Sequence, residues 1–239
     1  MKKLFFAILA LVSIVFADVN FDNPNVVDEI GIGGTYPNFK LLDPHAAGLW
    51  FLRAEYPAKW DRVKDDEFEQ HDAIQSAFKT LKSLAKPKYD EYINQKSSIL
   101  TGIRFGRYDF KSHSFPLDVI GKNSFFKFDG KRLISTLKVY FDNTGDEEKK
   151  LYMPVKEAKT FVEQRKNSDG WVDRELDAKY YFRIKKIKTN INKINENEYT
   201  PDTWGQGYEP SDVTVIGHIY KIEIIDPKTN KVIATFNKK

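Results

Sequence analysis

The chain has 239 residues, a formal charge of +4 from 38 basic and 34 acidic side chains, and no cysteine. So even a balance argues against a nucleic-acid binder, which gathers a large positive excess on one face. The missing thiol excludes disulfides and lipid attachment at a cysteine, and it leaves any zinc site to be assembled from distant histidines and acids.

The first residues read MKKLFFAILALVSIVFADVN, two lysines ahead of an unbroken apolar run with small Ala17 at the point of cleavage. This is the pattern of a secretory signal peptide over residues 1–17. The apolar run is shorter than the roughly 20 residues a membrane-crossing helix needs, so no stable transmembrane anchor is expected after cleavage. Lys2 and Lys3 carry the only charges of that segment, so the mature chain falls from +4 to +2. Its 222 residues suffice to bury a core without covalent staples, as one α+β domain over residues 18–239.

In chain order, residues 18–45 are rich in Asn, Asp, Gly and Pro and have no clear period, which predicts an irregular lead-in. Gly31, Gly33 and Gly34 lie there without the following helix or Lys-Ser pair of a phosphate loop, and they read as a flexible turn. Asp43 and Pro44 signal a helix start, with Pro57 interrupting it; a second helix runs from Trp60 to an end at Pro87, with Phe68 off its apolar stripe. The helical part is expected over about 43–98 and a β-rich part over about 99–239.

From Ile99 the apolar period shifts towards two. Leu133, Ser135, Leu137, Val139 and Phe141 share one side of a strand, and Ala178, Tyr180, Phe182 and Ile184 share one side of another. Val155, Ala158 and Val162 mark one short inserted helix, DNTGDEE from Asp142 reads as a hairpin turn, and the tail reads as a hairpin turning at residues 226–230. The expected fold is α+β, with N-terminal helices packed on a mainly antiparallel sheet.

Four histidines, His45, His71, His113 and His218, are scattered without a zinc spacing, so neither metal nor cofactor is expected. NSDGWVD at 167–173 resembles a calcium loop, but Arg165 and Leu176 stand where ligands are required. In KDDEFEQHD, Glu67 and His71 share a helix face and stand beside Asp72, which offers acid–base chemistry if they line a cleft; the plainer and preferred reading is a solvated helix face with an ordinary surface ion pair. The window FGRYDFKSHSFPLD at 105–118 reads mainly as architecture, with Phe105, Tyr108, Phe110 and Phe115 buried and Asp109 ordering a turn, while Arg107, Asp109 and His113 are further site candidates.

Two stretches suggest binding. Residues 195–212 form a long polar Gly/Pro-rich loop holding Tyr199, Trp204 and Tyr208, whose rings suit sugars or peptides unless Trp204 folds back onto the sheet. Lys179, Arg183 and Lys185 give one strand a basic side that suits an anionic glycan or lipid head group, or is merely solvated.

The combination of DEFE at 66–69, FGRYDF with FPL at 105–117, and MPVKEAKTFVEQR at 153–165 resembles an exported bacterial family known only as a domain of unknown function. The resemblance spans most of the mature chain and implies location and fold, with no catalytic residues to carry over. The expected function is that of a noncatalytic periplasmic or secreted protein that binds an envelope protein or glycan through its sheet and the loop at 195–212. The alternative is an envelope hydrolase built on Glu67, His71 and Asp109.

Overall fold

The structure, a computed structural model, describes residues 18–145, 149–195 and 210–238. The stretch expected to be irregular is largely helical. Asn23 accepts from the Asn25 amide (3.0 Å), Pro24 occupies the first turn, and α1 runs Pro24–Thr35 into a 3₁₀ turn at Tyr36–Leu41. Gly31, Gly33 and Gly34 are therefore helical residues and not a turn. Each costs about 1 kcal/mol of helix propensity against alanine, and each permits a close approach. A Cβ on Gly31 would collide with Ile134, one on Gly34 with Thr189, and one on Gly33 would sit 2.8 Å from the Tyr89 amide nitrogen and 2.9 Å from the Lys88 carbonyl carbon.

The remaining helices follow their caps. Asp43 accepts from the Ala46 amide at the start of α2, Pro44–Glu55. The helix expected from Trp60 is two: α3, Pro57–Val63, and α4, Glu67–Tyr92, restarted by Asp66, which accepts from the Phe68 and Glu69 amides at 3.0 and 2.9 Å. Phe68 then points to solvent, 85% exposed. Pro87 does not end α4. It lies on the exposed side of the helix, and the turns beyond it are held by α1: Gly33 abuts the 88–89 backbone, and Glu29 accepts from Lys88 (2.7 Å) and Tyr92 (2.6 Å).

Strands β1 (Lys96–Arg104), β3 (Phe125–Asp129), β4 (Ile134–Phe141), β6 (Glu175–Thr189), β7 (Ser211–Asp226) and β8 (Lys231–Asn237) make one sheet in the order β1-β6-β7-β4-β3. β8 pairs the C-terminal part of β7, past the end of β4. Every pairing is antiparallel except β4 with β7, so the sheet is mixed. β2 (Ser114–Leu117) and β5 (Lys149–Tyr152) pair separately; α5 (Val155–Glu163) and the short α6 (Ile191–Asn195) lie in the connections on either side of β6. β4 and β5 are therefore not the arms of a hairpin, because β4 pairs β3 and β7 while β5 pairs β2.

One face of this sheet is the core. Leu137, Val139 and Phe141 of β4 and Ala178, Tyr180, Phe182 and Ile184 of β6 are buried, in the expected alternation; Ser135 falls at a register shift, and its hydroxyl bonds Asp212. Helix α1 lies against this face, with Thr189 Oγ1 donating to Gly31 O (2.6 Å). Buried Asp28 reaches the β3–β4 turn, accepting from the Arg132 amide at 2.9 Å and the Ile134 amide at 3.0 Å. Burial raises its carboxyl above the usual value, opposed by those amides. Phe21, stacked on Phe128 and Phe182, ties the first described residues into the same core.

In the 105–118 window, Phe105 and Phe115 are buried edge to face with Phe161 of α5 beside them, and Asp109 accepts from the Lys111 amide and Ser112 hydroxyl. Phe110 is the exception to the expected burial. It sits at the tip of that turn, 71% exposed, with only an edge contact to Tyr108.

Buried Arg165, just after α5, lies 2.6 Å from Asp226 at the end of β7 and over the Phe161 ring at 3.8 Å. Burial opposes ionisation of Asp226, but Arg165 and the Lys228 amide outweigh it and hold the carboxyl below its usual value.

Two predictions test this packing. Gly33→Ala gains about 1 kcal/mol of helix propensity but meets the backbone of a second helix, where overpacking costs about 1–3 kcal/mol. Urea unfolding should therefore show a loss of stability, and a gain would contradict the close approach. Asp226→Ala leaves a buried guanidinium without its counter-charge and should cost about 3–5 kcal/mol at neutral pH. A depressed folded pKa stabilises above the unfolded carboxylate value and is lost as pH falls through the folded one. The stability gap between wild type and variant should thus close below about pH 4, read from denaturation at a series of pH values.

Candidate functional site

The other face of the sheet keeps its side chains exposed or half-buried. On regular strands it would show one outward residue in two. Twice it shows more. Lys185 has no partner on β7, since Ile184 pairs Gly217 and Lys186 pairs Ile216; Tyr220 has none on β6, since Tyr181 pairs Lys221 and Phe182 pairs Ile219. Each register shift is a bulge that puts two consecutive residues outward between buried isoleucines: Lys185 and Lys186 between Ile184 and Ile187, Tyr220 and Lys221 between Ile219 and Ile222.

The two bulges bracket one row across three strands, in which Lys96 of β1 pairs Arg183 of β6 and Arg183 pairs His218 of β7. Between them is a cleft of about 320 Å³ lined by Lys96, Arg183, Lys185, His218 and Tyr220. None of these lining residues is a carboxylate, and no ion pair joins Lys96, Arg183 or Lys185 to a described acid.

His218 is fixed in place. Its Nδ1 lies 2.7 Å from Asp142 Oδ1, which assigns the ring proton to Nδ1, and Nε2 lies 3.4 Å from the Asn143 amide nitrogen. Asn143 is itself held by both backbone groups of Ile219 and by Lys238, which donates to its carbonyl.

Next along the face the charges are internally satisfied. Glu223 accepts from Tyr181 Oη (2.7 Å) and Lys221 Nζ (2.9 Å), bonds that hold its carboxyl below the usual value. Burial and that same bond push Tyr181 up to about 12. Lys179 lies over the Tyr181 ring. Of the three cations read together in the sequence, Arg183 and Lys185 line the cleft while Lys179 belongs to this neighbouring cluster.

The other candidates lie elsewhere. Glu67 and His71 are exposed on the first turns of α4, with no hydrogen bond or ion pair between them; the open cleft nearby is lined instead by Lys59, Arg62, Asp66, Glu69 and Asp72 among others. Asp109 is engaged in its own turn, and its bond from Ser112 keeps its carboxyl low. Arg107 is exposed one turn away, and His113, with φ 51°, lines a separate apolar groove with Tyr152, Met153, Pro154 and Val155. Tyr199, Trp204 and Tyr208 lie outside the described residues, as does the leader at 1–17. Among the described residues no group of three or more His, Asp or Glu is placed to hold a metal ion, and no helix is long and apolar enough to cross a membrane.

Lys96, His218 and Tyr220 escape a reading of single strands because they come from β1 and β7 and meet Arg183 only through strand pairing. A local signal did exist: IKKI at 184–187 and IYKI at 219–222 each space apolar residues by three inside a strand of period two. No protein-family model matches the chain, and no curated protein or solved structure matches it.

Proposed function

We propose that this chain is a noncatalytic exported protein that holds an anionic component of the cell envelope on the open face of its sheet. The observation that carries this reading is the cleft lined by Lys96, Arg183 and Lys185, none of which has an acidic partner among the described residues. Unpaired cations side by side repel one another, and a bound anion relieves that repulsion. Arg183 offers a planar fork and the lysines compact point charges, a combination suited to oxyanions.

Export is read from the leader, and the position of the cut suits the fold. Val19 and Phe21 are buried, so the core begins within two residues of the expected cut after Ala17 and both residues stay with the mature chain. The resemblance to an exported family of unknown function points the same way. The mature product is then periplasmic or secreted.

Residues 18–239 should cosediment with an envelope fraction at low salt. Retention should fall as salt rises towards 0.15 M, where the screening length is about 8 Å. The double variant Arg183→Ser, Lys185→Ser should lose retention while its melting temperature stays near that of the wild type, because both side chains are exposed. Undiminished retention by that variant would defeat the proposal. N-terminal sequencing of the exported protein should begin at Asp18, and a retained leader would defeat the assignment of location.

A further inference from the structure

We propose that the cleft between the two bulges binds a phosphoryl group carried on a larger molecule, with Lys96, Arg183 and Lys185 on its oxygens and Tyr220 against the moiety that bears it. This rests on the reading above that the open sheet face binds an anion. It adds which anion, on three observations.

The first is charge. Three cations line the cleft, and acids on the neighbouring rows are engaged: Asp142 with His218, Glu223 with Tyr181 and Lys221, and Asp18 with Ser98. One carboxylate would leave most of that excess unneutralised. A phosphomonoester carries about −1.5 to −2 at neutral pH and offers three acceptor oxygens, one for each cation.

The second is the directions from which the donors come. Lys96 enters from β1, Arg183 from β6, and Lys185 from the extra residue of the β6 bulge, so they stand on two strands at two levels along the sheet. Donors spread in this way suit a tetrahedral group, whereas a planar carboxylate is met by a single arginine fork. His218 in its present tautomer spends its N–H on Asp142 and leaves the cations to do the binding.

The third is room. At about 320 Å³ the cleft lies at the small end of the roughly 300–1,000 Å³ of small-molecule sites. That space admits more than a bare phosphoryl group. The second bulge turns the Tyr220 ring outward at its wall, where it offers a flat apolar surface to a sugar or glycerol unit.

Calorimetric titration of residues 18–239 with inorganic phosphate, glucose phosphate and glucuronate at one ionic strength tests the assignment. Glucose phosphate should bind, inorganic phosphate should compete with it, and glucuronate should bind about tenfold or more weakly, the loss expected for charge-assisted bonds left unmade. Arg183→Ser with Lys185→Ser should abolish binding of both phosphates. Tyr220→Ala should reduce glucose phosphate to the affinity of inorganic phosphate while leaving the latter unchanged; should that variant misfold, competition on the wild type still decides.

Flotation with phosphatidylcholine vesicles, with and without phosphatidic acid, separates the two sources of the group. Binding to phosphatidic acid but not glucose phosphate assigns a lipid head group, and the reverse assigns a soluble or glycan phosphate. Glucuronate binding as tightly as glucose phosphate, or neither phosphoryl probe binding, overturns the inference. If phosphoryl probes fail while envelope retention still depends on Arg183 and Lys185, only the phosphoryl assignment falls. If retention is also independent of them, the anion-binding face falls with it.

Discussion

Helix α1 touches the sheet, the β3–β4 turn and α4 at once, the sheet and α4 through glycines with no space for a side chain and the turn through Asp28. Gly31 and Gly34, three residues apart, face the sheet, where Thr189 bonds the Gly31 carbonyl; Gly33 faces the backbone of α4. Asp28, one turn earlier, collects the amides of the β3–β4 turn. The buried carboxylate would be costly without those donors, and the amides would be orphaned without the carboxylate. Moving α1 outward by the thickness of a methyl group would loosen all three contacts together. The helical layer is thus attached to the sheet mainly at one narrow element.

That attachment gives the sheet two unlike faces. The core face is committed to packing, with Phe141 in contact with both Tyr180 and Phe182. The outward face of the same strands is free to carry charge. Bulges in β6 and β7 add residues to the outward face without turning the later isoleucines away from the core, because each extra residue shifts the alternation once. The cleft is a by-product of two strands that pack on one side and are irregular on the other.

How far residues predict structure varies with the range of the interaction. The cap at Asp43, the alternation of Ala178 to Ile184, the Asp109 turn and the closing hairpin depend on neighbours within a few positions, and local spacing predicts them. Phe110 is different: whether an aromatic ring in a turn is buried depends on what the turn meets, and here the ring stays largely exposed with an edge contact to Tyr108. The site was half legible. Arg183 and Lys185 are marked by their alternation on one strand, whereas Lys96 and His218 join them only through pairing partners more than 30 residues away.

By itself the amino-acid sequence determined the α+β class, the apolar periods of the main strands and several helix starts, because these follow from steric and hydrogen-bonding preferences within a turn or two of chain. Only the tertiary structure decided that a glycine-rich stretch is a helix, that α4 continues past Pro87, and that three cations from two strands share one cleft. Each of these depends on contacts between distant segments, whose energies outweigh a local preference of about 1 kcal/mol for a glycine or about 3 kcal/mol for a proline.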